Sequence, residues 1–258
     1  MLDIRPIRAF SDNYIWMVRG ATDPRAVAVV DPGDAAPVLE SLADGGLSLA
    51  AILVTHHHAD HAGGVPALIA ATGARAFGPA RERMPDGVQK LAHGERARLP
   101  ELGLEFDVLD IPGHTAGHIA YCGHGVVFCG DTLFSAGCGR LFEGTAGQML
   151  ASLDRLAALA DETRVFCGHE YTEANLRFAL AVEPANSAIM DYVKRVAALR
   201  ARDLPSLPST IELEKRVNPF LRCRNEDVKS SAERRAGRTL PTPVAVFAEI
   251  RSWKDTFR

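Results

Sequence analysis

The segment Ala50-Ala51-Ile52-Leu53-Val54 runs directly into Thr55-His56-His57-His58-Ala59-Asp60-His61. Its first five residues are uniformly apolar and read as a buried strand. The seven that follow set four imidazoles and a carboxylate at that strand's end. Such a cluster would be electrostatically poor in a core and out of place on a surface, but it makes sense around a cation. Neutral imidazole nitrogen and carboxylate oxygen are the donors that borderline divalent metals such as Zn²⁺ take. An affinity tag would be terminal and would carry no interleaved aspartate.

The arrangement recurs downstream. Residues 104–111 (LEFDVLDI) precede Pro112-Gly113-His114, residues 126–129 (VVFC) precede Gly130-Asp131, and residues 164–167 (RVFC) precede Gly168-His169. Each time an apolar β-like run ends in a metal-capable side chain, which predicts a site built on strand-end loops of an α/β fold. His56, His58, Asp60, His61, His114, Asp131 and His169 make seven donors, too many for one tetrahedral zinc. Two cations sharing one bridging carboxylate use them all. Positions 56 and 58 can point the same way while 60 and 61 turn toward a neighbour.

The chain has 258 residues, enough for one large or two unequal domains with a sizeable core. Hydrophobic residues are 47% and charged residues 24%, a soluble globular balance, and a net charge of -3 gives no field that invites nucleic acid or an anionic membrane. No apolar run is long enough to span a bilayer, and the opening MLDIRPIRAF places charges where a signal peptide needs its apolar run. Cys122, Cys129, Cys138, Cys167 and Cys223 form an odd set without a C-x-x-C, which fits reduced thiols. The expectation is a cytoplasmic, soluble monomer.

Up to about residue 172, short β-like runs alternate with short helical patterns, which predicts a mixed α/β domain, a sheet covered by helices. Residues 26–30 form one such strand. A helix ends near Gly45-Gly46, and residues 65–71 form another, stopped by Gly73. Thr145 to Gln148 resembles a capping box ahead of Met149, Leu153, Leu156 and Ala160 at helical spacing. Beyond 172 the pattern is helical. Thr172 is expected to cap a helix ending at Glu183, and Ile189, Tyr192, Val193 and Val196 share one apolar face. Ser209 to Glu212 is another capping-box candidate, and Asn225 opens a helix that closes before Gly237. Thr242 and Pro243 start a last helix with Phe247, Ile250 and Phe257 inward. The expected domains are 1–172, metal-binding, and 173–258, helical and substrate-binding.

Residues 55–61 match T-H-x-H-x-D-H, and the chain is thereby similar to the metallo-β-lactamase superfamily. Cys138 to Thr145 (CGRLFEGT), Cys167 to Thr172 (CGHEYT), Asn218 to Arg222 (NPFLR) and Arg251 to Lys254 (RSWK) resemble type II glyoxalases, the hydroxyacylglutathione hydrolases. The resemblance implies an αββα sandwich followed by a helical domain. It implies hydrolysis of S-D-lactoylglutathione to glutathione and D-lactate by a metal-bound hydroxide. By position it implies one metal on His56, His58 and His114, and a second on Asp60, His61 and His169, with Asp131 bridging. The cofactor would be two divalent ions, zinc with iron or manganese as alternatives. Glutathione contacts would come from Arg140, Tyr171, Arg251 and Lys254. Phe142 stands where some members present a Tyr hydroxyl, Arg140 where some have Lys, and Ala59 fills a slot that is often bulkier.

A zinc-bound water can have a pKa of about 7, so neither a Ser-His-Asp nor a Cys-His arrangement is needed. Cys138 is accordingly expected to be no nucleophile. Asp31 would either orient a ligand imidazole or cap a turn. His57, His93, His118 and His124 read as surface or structural residues, with His118 the candidate nearest the metals. Competing readings are a glutathione persulfide dioxygenase with a single iron, a lactonase or β-lactam hydrolase, and a metal-stabilised module without catalysis. The last would close four ligands around one ion.

Overall fold

A computed structural model of the chain describes residues 2–257, so Met1 and Arg258, the outer ends of the expected domains, lie outside the described residues. The fold resolves into two compact units, one reaching Asp110 and including Ala116–Gly130, the other comprising Ile111–Thr115 and the chain from Asp131 onward.

The first unit runs β1 (Asp3–Ala9), β2 (Asn13–Arg19), β3 (Ala26–Val30), α1 (Ala36–Gly45), β4 (Ser48–Leu53), α2 (Ala59–Ala62), α3 (Val65–Thr72), β5 (Arg75–Pro79), β6 (Val88–Leu91), β7 (Arg96–Leu99), β8 (Leu104–Asp110), β9 (Ile119–Gly123) and β10 (Val126–Gly130). Strands β1 to β6 form a sheet in sequence order. β1, β2 and β3 pair antiparallel, and β3 to β6 pair parallel. Parallel neighbours need crossovers, and α1 and α3 supply those around β4. Val38 and Leu42 of α1 and Val65 and Leu68 of α3 pack with Val27, Val29 and Ile52 in one core. The alternate residues Ala28, Val30, Ala51 and Leu53 are also fully buried, so the sheet is covered on both faces. Strands β7 to β10 form an antiparallel meander. The Tyr121 hydroxyl on β9 donates to the Val54 carbonyl at 3.0 Å, and Ile119 N donates to the Thr55 carbonyl at 3.0 Å, tying the meander to the exit of β4.

The second unit contains β11 (Leu133–Phe134), β12 (Gly137–Cys138), α4 (Ala146–Ala157), β13 (Arg164–Cys167), α5 (Thr172–Val182), α6 (Ser187–Arg200), β14 (Ser209–Thr210), α7 (Ile211–Val217), α8 (Glu226–Ala236) and α9 (Pro243–Thr256). The Thr145 capping box is complete, with hydroxyl and Gln148 side chain serving each other's backbone N–H. Asn225 caps α8, Gly237 closes it in the left-handed conformation, and Thr242 caps α9 with Pro243 in its first turn.

Several boundaries differ from expectation, and α4 ends at Ala157, which leaves Ala160 beyond the helix. Thr172 is the first helical residue of α5, not its cap, and the N-cap position falls to Tyr171 without a side-chain cap bond. The cap of α7 is Thr210, whose hydroxyl accepts from Leu213 N, because Ser209 is still paired in β14 opposite Val165. Phe257 is the C-cap of α9 and half-buried, although its ring meets Phe178 at 5.3 Å.

Candidate metal centre and substrate site

In the first unit the exit of β4 carries four of the seven expected donors. His56 and His61 are buried, and His58 and Asp60 are partly exposed. His56 Nε2 lies 3.1 Å from His58 Nδ1, and His61 Nε2 lies 3.5 Å from Asp60 Oδ2. The opposite ring nitrogens face oxygens of neighbouring side chains. His61 Nδ1 sits 3.1 Å from Asp31 Oδ2, and His56 Nδ1 sits 3.1 Å from the Thr55 hydroxyl. Asp31 also accepts from Thr55 N at 2.7 Å and from the Thr55 hydroxyl at 2.8 Å. Its carboxylate thus faces the His61 imidazole, the placement that the first of its two expected roles requires, while its own backbone holds φ 53 in the left-handed region. Gly33, two residues on, passes so close to the loop that a Cβ there would lie 2.0 Å from the Asp60 carbonyl oxygen. Glycine at 33 therefore sets where Asp60 sits.

Asn13 and Glu82 complete this half and were not anticipated. Asn13 Nδ2 donates to Asp60 Oδ2 at 3.1 Å, and Glu82 accepts from His57. No motif marks either residue, since each reaches the loop from a distant strand or turn. His118 is buried and stacks on His56, ring centroids 4.5 Å apart, with its Nδ1 on the Ile119 carbonyl. His57 is half-buried against Glu82, while His93 and His124 are exposed and bond backbone groups of Asp110 and Glu105.

The second unit carries the other three donors, all buried. His114 Nε2 and His169 Nε2 approach the same oxygen, Asp131 Oδ2, at 3.5 and 3.4 Å. A ring N–H···O hydrogen bond is shorter, about 2.7–3.2 Å. Donors about 2.1 Å from a shared tetrahedral zinc lie roughly 3.4 Å from one another. Each donor set, taken by itself, therefore has the spacing and chemistry that fit a divalent cation. His114 Nδ1 lies 2.9 Å from the Arg140 carbonyl, so it is Nε2 that faces Asp131. A Cβ on Gly139 would strike the Asp131 carbonyl oxygen at 1.9 Å, so glycine is needed there too.

The same unit holds all five expected substrate residues. Phe142 is 63% exposed and meets the His114 ring edge at 5.2 Å. The Tyr171 ring lies parallel to His169 at 4.7 Å. Arg140 is largely exposed, with Nε 3.8 Å from Asp255 Oδ1. Lys254 donates to the Ala174 carbonyl at 3.1 Å and stands over the Phe178 ring. Burial, with Arg251, Arg177 and Arg140 nearby, brings the Lys254 ammonium down to about 8. Arg251 differs from the other four. It is buried, with Nη1 on the Cys138 carbonyl at 2.8 Å, Nη2 on Asp255 at 2.9 Å and its guanidinium over Phe220. Burial pushes the Cys138 thiol up to about 11, outweighing the adjacent Arg251, so it is protonated at neutral pH as expected of a non-nucleophile.

Residues 9–169 match the metallo-beta-lactamase superfamily and residues 170–257 match the hydroxyacylglutathione hydrolase C-terminus. The chain belongs to the hydroxyacylglutathione hydrolases of the metallo-β-lactamase superfamily. A hydroxyacylglutathione hydrolase of Albidiferax ferrireducens is 56% identical across 99% of this chain and 100% of its own length. One of Nitrosomonas eutropha is 50% identical across 100% of both. Among solved structures, ETHE1 from Myxococcus xanthus superposes with a TM-score of 0.65 at 27% identity, covering 98% of each chain. TTHA1623 in a di-iron-bound form gives 0.60 at 27% identity, over 84% of this chain and 99% of that one. The fold of this hydroxyacylglutathione hydrolase is accordingly the αββα sandwich followed by a helical C-terminal domain.

Proposed function

We propose that this enzyme hydrolyses S-2-hydroxyacylglutathione thioesters, S-D-lactoylglutathione foremost, to glutathione and a 2-hydroxy acid. In this reading His56, His58 and His114 hold one divalent cation, Asp60, His61 and His169 hold a second, and Asp131 bridges them. Zinc fits the donors best, with iron or manganese as alternatives. The convergence of His114 and His169 on one oxygen of Asp131, at tetrahedral-edge lengths, is the observation that carries it. When bound, such a pair polarises the thioester carbonyl and lowers the pKa of a coordinated water to about 7.

The chain's own groups do the rest. Asp60 and Asp131 return two negative charges to the four brought by two divalent ions, so the centre stays cationic toward an oxyanion. Asp31 and the Arg140 carbonyl hold the His61 and His114 rings at fixed orientation. Phe142 and Tyr171 flank ligand rings with apolar surface, which keeps water off His114 and His169 and suits the acyl–sulfur segment. Arg140 and Lys254 offer charge to the two carboxylates of glutathione. Arg251 contributes charge from within while bracing the Cys138 carbonyl. The departing thiol, with a pKa of about 8.5–9 by analogy with cysteine, leaves as thiolate without a dedicated acid. Among the described residues no helix is long and apolar enough to cross a membrane, and the proposal keeps the enzyme a cytoplasmic monomer.

Hydrolysis of S-D-lactoylglutathione by the purified chain should cease on chelation and return with zinc, with metal analysis on the same sample giving two ions per chain. Turnover of a lactone or a β-lactam at a comparable kcat/KM, or oxygen uptake with glutathione persulfide, would displace the proposal. The Lys254 ammonium adds a pH signature. Because its folded pKa is about 8, charge is lost as pH rises through 8 and kcat/KM should fall there, while Lys254→Arg holds its value to higher pH. Lys254→Ala should raise KM and leave kcat within a few fold, about the pattern of lost uniform binding. A flat profile in the parent enzyme would remove Lys254 from the substrate site.

A further inference from the structure

We propose that Glu82 is a positioning residue that fixes the ligand loop by its backbone between His56 and His58, an inference that rests on the metal reading above. Glu82 stands in the turn after β5, and its side chain is only 3% exposed. Oε2 accepts from the peptide N–H of His57 at 2.6 Å, and Oε1 accepts from Gly117 N at 3.2 Å. The His57 amide is the rung between two ligands. Gly117 precedes His118, whose ring is stacked under His56. One buried carboxylate thus clamps the loop that carries the ligands and the segment that floors it.

The approach is possible because position 117 has no side chain. A Cβ there would lie 2.5 Å from Glu82 Cγ and 2.9 Å from the Arg81 carbonyl carbon. The same carboxylate also meets His57 Nδ1 at 3.0 Å, but that ring is 32% exposed and lies at the rim. A charge-assisted bond to a buried amide is stronger than an ion pair open to water. The grip therefore acts through the peptide, and the His57 ring is secondary.

This ordering makes the test specific. Full-length enzyme and the variants Glu82→Ala, Glu82→Gln and His57→Ala are loaded with zinc, and zinc release to an excess of EDTA is followed with a chromophoric indicator. Removing a group that orients ligands typically weakens a site about 10–100-fold. Glu82→Ala should release zinc at least about tenfold faster. Glu82→Gln should fall between the two extremes, because an amide oxygen still accepts from one N–H while its NH₂ opposes the other. His57→Ala should stay within about twofold of the parent, since it keeps the peptide N–H. A role confined to stability would lower Tm and leave the release rate of the folded enzyme unchanged. Parent-like release from both Glu82 variants, or release from His57→Ala as fast as from Glu82→Ala, overturns the proposal. Should Glu82→Ala fail to fold by circular dichroism, the contrast between Glu82→Gln and His57→Ala decides. A parent enzyme that retains no zinc instead sinks the metal reading itself, so the two failures are distinct.

Discussion

Replacing Asp131 by alanine is expected to lower kcat/KM for the lactoyl thioester by more than about a thousandfold, some 4 kcal/mol of transition-state stabilisation. The size follows from charge. Two divalent cations about 4 Å apart repel with four times the energy of a unit pair, on the order of 16 kcal/mol at an effective dielectric constant of 20. In the proposed centre an anion shared by both ions would offset most of that term, and Asp131 is the carboxylate on which His114 and His169 both converge. Asp131→Ala should therefore bind one ion per chain where the parent binds two. Asp131→Asn keeps the shape and loses the charge, so it should fail nearly as badly. Either variant retaining two ions and parent activity would disprove the shared role. Because Asp131 stands in the turn after β10 and it is its backbone carbonyl that packs on Gly139, the fold should survive the change, and circular dichroism checks this.

How much of this was legible in the sequence depended on distance along the chain. Strands β4, β10 and β13 read directly, because each is a largely apolar run that leads through Thr or Gly to an expected donor, while β3 is apolar throughout and β8 alternates buried apolar with exposed charged positions. Helices α4, α8 and α9 announced themselves by Thr145, Asn225 and Thr242, whose caps are local chemistry. β2 went unread because Asn13–Arg19 is buried on both faces and shows no alternation, and its partner β1 is mostly exposed. β6 and β7 are four residues each, with only two apolar positions apiece, too short a run for alternation to stand out. The same boundary ran through the site. The candidate donors stand in motifs, and of the groups around them only Asp31, at the end of an apolar run, carried a local signal. Asn13, Gly33 and Glu82 act through contacts with loop backbone or ligand far away in sequence, and no spacing rule connects Asn13 to Asp60 or Glu82 to His57. The burial of Arg251 was likewise not legible. It stands three residues from Lys254 on a helix, and spacing alone does not tell that its guanidinium is buried on the Cys138 carbonyl and Asp255.

Asn218→Ala should be the most destabilising of the single changes away from the metal ligands, because it strikes a polar cluster sealed inside the helical part. Glu214 is fully buried, and burial raises its pKa against the donors around it. Its oxygens accept from the Ser135 hydroxyl at 2.9 Å, Ala136 N at 2.8 Å and Asn218 Nδ2 at 3.0 Å. Asn218 also donates to the carbonyls of Phe134 and Gly137, at 3.1 and 2.9 Å, and accepts from Phe220 N. The β11–β12 hairpin is thus held from within, and Ala136 at its tip keeps a left-handed φ of 56. Each buried group deprived of its partner costs about 1–3 kcal/mol. A net loss of roughly 3 kcal/mol lowers the Tm of a chain this size by about 6–12 °C. Asn218→Asp preserves the side-chain shape but removes the donated hydrogens and sets a second carboxylate against Glu214, so it should cost at least as much as alanine at neutral pH. The hairpin links Asp131 to Arg140, so activity in both variants should fall at temperatures well below their new Tm. A parent-like Tm for Asn218→Asp would show that the amide hydrogens carry none of the cluster's stability.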